Sequence, residues 1–424
     1  MLGTAQTLAW ASTYYLPAML AAPMAETLAL GLPTVLLAFS MAMLVSALIG
    51  PFAGSLIDQY GGRPVLMGTS VIFAAGLAAL AVAQGPLGLF LAWAIIGIGM
   101  GGGLYEAAFA TLVRLYRSDA RSTITGITLV AGFASTIGWP LSAWMEAQWG
   151  WRGACLGWAA LHLVVGLPLN AWLPRAAPAS ATSGHARHAG HTMPETSGNA
   201  ASAGAQTSGR VVNASAPAGN SGAPPVPKFS VHTGGETPPA TPRHPGLTSW
   251  LLAFVFAATW FVSTAMATHL PALVQAGGAS LATAVAIGAL IGPAQVAGRL
   301  LEFGLLRRVH PLLSARLASL AHPLGAGVLL LAGTPFAAAF AILHGAGNGI
   351  LTIAKGTLPL VLFGPHGYGA RQGWLMIPAR FAQAVAPFAF GLAVVRWGSG
   401  ALWLSTAIGV AAFAALLAIR VRNA

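Results

Sequence analysis

Long apolar runs, each about the length of one bilayer crossing, recur along this chain between short polar or glycine-rich interruptions. An α-helix rises 1.5 Å per residue, so roughly 20 apolar residues cover a hydrocarbon core of about 30 Å. Twelve runs meet that length: 4–27, 33–57, 64–84, 87–112, 123–146, 152–173, 248–271, 281–305, 313–333, 335–360, 372–395 and 399–420, called spans 1 to 12 below. They fall six and six around residues 174–247, a stretch rich in Ala, Pro, Gly, Ser and Thr with no apolar run long enough for a helix or strand. Such a stretch buries too little surface to offset its ordering entropy, and disorder is expected there. The pattern predicts an all-α membrane protein of twelve transmembrane helices in two pseudo-symmetric six-helix bundles. The bundles cover 1–173 and 248–424, and the linker covers 174–247.

Composition agrees. Hydrophobic residues make up 56% of the chain and charged residues 7%, where a soluble domain carries about 25% charged. Lipid is the main solvent of such a fold. The net charge of +12 would suit a nucleic-acid binder if it formed a patch. Here the basic residues are scattered between apolar runs, and they read as topology signals instead. The lone cysteine, Cys155, lies inside an apolar run and reads as a small buried hydrophobe, so no internal disulfide is expected. The first run begins almost at Met1 and reads as a mature helix rather than a cleavable signal.

With both termini in the cytoplasm, fifteen of the 20 Lys and Arg residues fall on inside segments, including Arg63, Arg114, Arg117, Arg121, Arg307, Arg308 and Arg371. Only Arg152 and Arg396 fall outside, while Arg299, Lys355 and Arg380 lie within spans. The positive-inside bias therefore selects this orientation. Trp139, Trp144, Trp149, Trp151, Trp250, Trp374, Trp397 and Trp403 fall near span ends, where an amphipathic ring suits the interface.

The halves share sequence. Span 4 reads Gly99-Met-Gly-Gly-Gly-Leu-Tyr-Glu-Ala-Ala-Phe-Ala-Thr-Leu112, and span 10 reads Gly345-Ala-Gly-Asn-Gly-Ile-Leu-Thr-Ile-Ala-Lys-Gly-Thr-Leu358, with glycines, threonine and leucine in step. Ala47-Leu-Ile-Gly-Pro51 of span 2 recurs as Ala289-Leu-Ile-Gly-Pro293 of span 8, a register that conflicts by several residues with one set by Gly54 and Gly304. Internal repeats of this kind mark secondary transporters.

Between spans 2 and 3 stands Gly54-Ser-Leu-Ile-Asp58-Gln-Tyr-Gly61-Gly62-Arg63-Pro64. Gly54 would let a neighbouring helix approach closely, Gly61 and Gly62 permit a sharp turn, Asp58 can cap and pair across the halves, and Arg63 adds positive charge. This loop resembles the signature of the major facilitator superfamily, and the resemblance covers the whole chain. It implies an alternating-access transporter in which Gly54, Asp58, Gly62 and Arg63 form a gating loop. Two departures concern coupling. Span 4 lacks the arginine that many members carry, with Trp93-Ala-Ile-Ile-Gly97 in its place. Span 5 holds Gly132-Phe-Ala-Ser-Thr-Ile-Gly138-Trp-Pro140, a loose form of the exchanger pattern. Within the superfamily the chain looks somewhat like the monocarboxylate and oxalate/formate branch. Arg299 matches that branch's substrate-facing arginine, with Gln295 in place of a carboxylate one turn earlier, and Arg380 matches its span 11 cation.

A charge at membrane depth costs at least ~2.5–3.5 kcal/mol, so each intramembrane ion needs a reason. Arg299 could hold a carboxylate bidentately, against snorkelling to the inner interface. Lys355 and Arg380 are further substrate or counter-charge candidates. Glu106 is the one acid placed well inside a span, and it could carry a proton or form an ion pair with Lys355 or Arg380. Tyr14, Tyr15, His344 and Asn348 complete the substrate-binding candidates, each weighed against plain packing, while His269 and His322 read as structural.

Gly97-Ile-Gly99-Met-Gly-Gly102 matches a dinucleotide fingerprint but sits mid-span without a preceding strand, so close helix packing is expected. His185, His188 and His191 are spaced by three in the linker, which reads as a solvated tract rather than a metal site. No phosphate loop and no hydrolase or zinc-protease motif occurs. The expectation is a monomeric, multi-pass protein of a bacterial inner membrane. It would use no cofactor, metal or nucleic acid, and would move a small organic anion such as a monocarboxylate with a proton. An efflux permease for a drug or metalloid is the alternative, ahead of a membrane-embedded enzyme or a receptor.

Overall fold

The computed structural model describes residues 1–116, 120–174, 244–306, 309–364 and 368–420. The bulk of the expected linker lies outside these, with its three histidines and most of its basic residues, as do Arg117, Arg307 and Arg308. Among the described residues nine helical stretches are long and apolar enough to cross a membrane. Two of them, Gly126–Ala171 and Trp374–Ala418, each contain two crossings. They fold back at Gly150 (φ 67°) and Gly398 (φ 56°), conformations that favour glycine. Span 1, in two shorter helices, completes the twelve.

Several crossings are broken where the sequence places a proline or a glycine run. Span 1 is Leu2–Ser12 and Pro17–Thr27, because Pro17 has no N–H for the Thr13 carbonyl and its ring crowds that oxygen. Span 4 is Pro86–Gly103 and Tyr105–Tyr116, parted at Leu104 after three glycines. Span 8 is Leu281–Ala289 and Ile291–Gly304. Its repeat partner, span 2, runs unbroken over Leu32–Tyr60, and span 10 runs unbroken over Ala337–Phe363. Span 6 contains a π-helical turn at His162–Gly166.

The apolar cores show how the halves meet. On the side away from the signature loop one core takes residues from both halves, including Leu36, Phe39, Trp93, Trp139, Val262, Ile291 and Phe390. On the signature-loop side there are two cores. One, around Leu2, Ile57 and Leu112, belongs to the N-terminal half, and the other, around Leu252, Leu358 and Leu416, belongs to the C-terminal half. The halves are joined at one face and part toward the other.

Across the shared face the seams are polar and close. Span 5 meets span 8 where Thr136 Oγ1 donates to the Ala289 carbonyl at 2.8 Å and the Trp139 ring covers Gly288. Span 2 meets span 11 where the Phe388 N–H donates to Ser40 Oγ at 3.2 Å. Tyr14 of span 1 donates to Thr264 Oγ1 of span 7 at 2.8 Å. Trp139 is therefore fully buried in the seam rather than at the interface, and Trp151 is buried too, donating to Thr27 Oγ1. The other tryptophans assigned to span ends, among them Trp250 and Trp374, are exposed.

Glycine contacts fix the register of the repeat. A Cβ on Gly97 or Gly101 would meet the Ala42 or Ser46 carbonyl of span 2 at 2.6 and 2.7 Å. On span 10 the glycines against span 8 are Gly345 and Gly349, which face Ile291 and Gln295. Gly99 lies on Phe73 of span 3 as Gly347 lies on Ala321 of span 9. The equivalent glycines are thus Gly97 with Gly345 and Gly101 with Gly349, two positions away from the gapless alignment. Ser46 answers Gln295, so the repeated Ala-Leu-Ile-Gly-Pro string is out of structural register and the Gly54–Gly304 pairing lies within one residue of it.

The signature loop differs in part from its sequence reading. Gly61 turns the chain (φ 86°) and Gly62 packs so tightly under Thr111 that no side chain fits. Gly54, by contrast, has no neighbour within 4 Å of a Cβ position, so it is not a close-approach glycine in this conformation. Asp58 is exposed and does not cap span 3, whose N-cap is Gly61. Arg114 instead caps the end of span 2, donating to the Ile57 carbonyl at 2.7 Å and to the Asp58 carbonyl.

These contacts separate two glycines. Gly101→Val should destabilise by about 1–3 kcal/mol through overpacking against span 2. Gly54→Ala should fall within ~0.5 kcal/mol of the parent or stabilise slightly. Thermal unfolding of both variants in detergent checks the difference, and equal losses would contradict the packing.

Candidate functional site

Where the halves part, a cavity of about 180 Å³ opens between them. Spans 1, 4 and 5 supply its N-terminal wall with Trp10, Tyr14, Tyr15, Tyr105, Glu106 and Thr128, and spans 7, 8, 10 and 11 supply Trp260, Gln295, Arg299, Asn348, Lys355 and Arg380. The span 1 break lies at its edge, which is how two consecutive tyrosines, Tyr14 and Tyr15, both reach it.

Arg299 is buried, and one guanidinium nitrogen donates to the Thr128 carbonyl of span 5. It therefore turns inward across the seam and does not snorkel. Its Nε has no partner in the structure, and the hydroxyl of Tyr105 lies beside it. Gln295, one turn earlier, faces Tyr15.

Lys355 is buried with its ammonium 4.3 Å from the Trp260 ring centroid, a cation–π contact within span-to-span reach. Asn348, Thr352 and Lys355 recur at helical spacing and line the same wall. Arg380 of span 11 donates to Glu106 Oε1 of span 4, an ion pair that joins the halves. This is one of the two arrangements the sequence left open for Glu106. Both partners keep considerable exposure, 54% for Glu106 and 37% for Arg380, so solvent screens the pair.

Thus Tyr14, Tyr15, Glu106, Arg299, Asn348, Lys355 and Arg380 come together. His344 does not. It sits one turn beyond Asn348, where spans 7, 9 and 12 close around it, and its Nδ1 lies 3.0 Å from His322 Nδ1 in a separate small cavity. Gly54, Asp58, Gly62 and Arg63 do not line the cavity. Sequence reasoning missed Trp10, Tyr105, Trp260 and Gln383. Trp10 stands one helical turn before Tyr14 and Tyr105 beside Glu106, which is a usable signal, but rings within spans are mostly packing. Trp10 and Tyr105 in fact pack on each other across the spans, 4.8 Å between centroids with the ring planes tilted by 43°.

The Major Facilitator Superfamily family model matches residues 2–325. Multidrug resistance protein MdtH of Klebsiella pneumoniae (strain 342) is 31% identical over 138 residues, 32% of this chain and 33% of that protein. An uncharacterized 38 kDa protein in the 23S RNA operon of Thermoproteus tenax is 33% identical over 153 residues, 36% of this chain and 40% of that protein. The matched region therefore spans about a third of the length of these curated relatives. A crystal structure of the nucleoside transporter NupG superposes over 98% of this chain and 97% of its own, with a TM-score of 0.68 and 12% identity, a likeness of fold.

A double-mutant cycle on Glu106→Gln and Arg380→Gln, read by thermal unfolding in nanodiscs, should give a coupling of about 1 kcal/mol or less, the value for solvent-screened pairs. A coupling of several kcal/mol would mean that the pair closes dry.

Proposed function

We propose that this chain, which belongs to the Major Facilitator Superfamily and is a multi-pass membrane transporter of that family, moves a small organic anion together with a proton. One observation carries the reading. Arg299 and Arg380 enter a single ring-lined cavity whose one acid among the described residues, Glu106, already lies on Arg380. Guanidinium groups hold carboxylates bidentately, and the rings of Trp10, Tyr105 and Trp260 suit an apolar body attached to that carboxylate.

The ion pair supplies a coupling device. Glu106 and a substrate carboxylate compete for the same guanidinium. Protonation of Glu106 releases Arg380, so the proton and the anion favour each other's binding. Anion affinity is then higher at an acidic than at an alkaline pH, and the free energy of one gradient drives the other. Alternating access would close the open face and part the shared one, with the signature loop travelling at the gate. The positive-inside bias supports an orientation with the open face, both termini and the loop on the cytoplasmic side, and the MdtH relatives favour a bacterial inner membrane.

Drug efflux is the second reading, favoured by the MdtH relatives and the aromatic lining. It makes Glu106, freed from Arg380, the site of a cationic substrate.

In proteoliposomes, counterflow of radiolabelled aromatic and aliphatic monocarboxylates should fall about 10-fold or more in Arg299→Gln, the loss of roughly one charge-assisted hydrogen bond. Glu106→Gln should keep counterflow and abolish its pH dependence. Flux of a cationic dye without any carboxylate flux, in folded protein, would replace the first reading with the second.

A further inference from the structure

The two seams that flank the cavity are unlike. The span 5–span 8 seam is closed from Gly288 down to Arg299. The Trp139 ring covers Gly288, Gly292 packs on the Gly132 carbonyl and Thr136, Gly132 lies against Val296, and Arg299 bonds Thr128. Near-contact of backbones leaves no gap for lipid or solute.

The span 2–span 11 seam is closed only toward the shared face, at Leu36 with Gly391 and Ser40 with Phe388. Below that it opens into a second cavity of about 580 Å³. Leu44, Leu48 and Pro51 form one lip, Ile377 and Phe381 the other, and the inner end is the Glu106–Arg380 pair. Ser46, Ala47, Glu106 and Arg380 line both this cavity and the central one, so the two adjoin at the ion pair.

Both lips lie well inside their spans, and their apolar side chains are exposed, Leu48 at 63% and Phe381 at 66%. At that depth an exposed Leu or Phe faces acyl chains rather than water. The opening thus has a hydrocarbon mouth and an arginine at its inner end, which is the chemistry of an anionic amphiphile rather than of a fully hydrated ion.

We infer that the substrate is a membrane-partitioned organic carboxylate that reaches Arg380 sideways, from the bilayer, through the opening between spans 2 and 11. The inference deepens the anion reading and rests on it for the identity of the headgroup. The carboxylate displaces Glu106 from Arg380 at the inner end, while the apolar body passes from lipid to the rings of the central cavity. Gly50 sits in the lip with nothing within 4 Å of a Cβ position, so the opening can be filled there without disturbing a packed neighbour.

Two measurements test this. The first needs no substrate. In a Cys155→Ala background, Ser46→Cys and Thr128→Cys place thiols in the central cavity at its span 2 and span 5 sides, and the reagent is a maleimide carried on a phospholipid acyl chain in the vesicle bilayer. Labelling of Ser46→Cys at least 10-fold faster than Thr128→Cys is the expected result. Equal labelling, or labelling of neither, overturns the lateral route.

The second measurement uses Gly50→Trp. Flux of a fluorescent long-chain carboxylate should fall at least 10-fold while benzoate flux stays within about 2-fold. Equal effects on both solutes overturn the route. If the parent protein moves neither carboxylate, the anion reading and the proposed substrate class fall together, and the labelling result still decides the route.

Discussion

In a bilayer the hydrophobic effect does not draw one helix to another, because lipid tails are as apolar as leucine. The packing of this chain consequently rests on how closely backbones can approach, and that closeness comes from glycine. Gly97 and Gly101 seat span 4 on span 2, Gly345 and Gly349 seat span 10 on span 8, and Gly132 and Gly292 seat the halves on each other. Three of the elements that line the cavity are carried by these contacts. Span 10 holds Asn348 and Lys355 in place, span 8 holds Gln295 and Arg299, and span 4 brings Glu106 opposite span 11.

The second constraint is charge. Among the described residues four charged groups converge at the cavity between the halves, and three are basic. Each is met differently. Arg299 turns to a backbone carbonyl across the seam, Lys355 lies on an indole face, and Arg380 takes the single acid. Only the last of these contacts involves a formal opposite charge, so the cavity keeps a positive excess that a bound anion would reduce. The joined core on one face and the divided cores on the other show the same site in one of its conformations, with the polar groups at the point of division.

Much of this was legible in the sequence, and the reason is physical. A bilayer forces apolar runs of fixed length, so the twelve crossings could be counted, and the rarity of intramembrane charge singled out Glu106, Arg299, Lys355 and Arg380, which do meet. Identical letters were a poorer guide. The repeated Ala-Leu-Ile-Gly-Pro string is out of register because what repeats is the small-residue face, and a face can be kept while the letters slide. Gly54 and Asp58 matched a signature, yet in this conformation neither makes the contact the signature suggested, since a loop's role between halves depends on which way the halves are tilted. His344 failed for a different reason. Its spacing put it in line with Asn348, but span 9 closes over that turn, and closure by a neighbouring helix leaves no trace in the sequence of the helix it covers. Trp139 misled similarly, a ring near a span end that the opposite half buries.

Arg114 gives the signature loop a mechanical identity. By holding the last carbonyls of span 2 from the end of span 4, with Gly62 locked beneath Thr111, it ties the end of span 2, the start of span 3, their connecting turn and the Tyr105–Tyr116 helix of span 4 into one stiff plate. A stiff plate has no internal joint. Any tilt imposed on it at the cavity, near Glu106, reappears undiminished at the turn, multiplied by the lever arm between them. The loop is accordingly not a strap laid over two moving bodies but the far end of one of them, and its displacement reads out what happens at the ion pair.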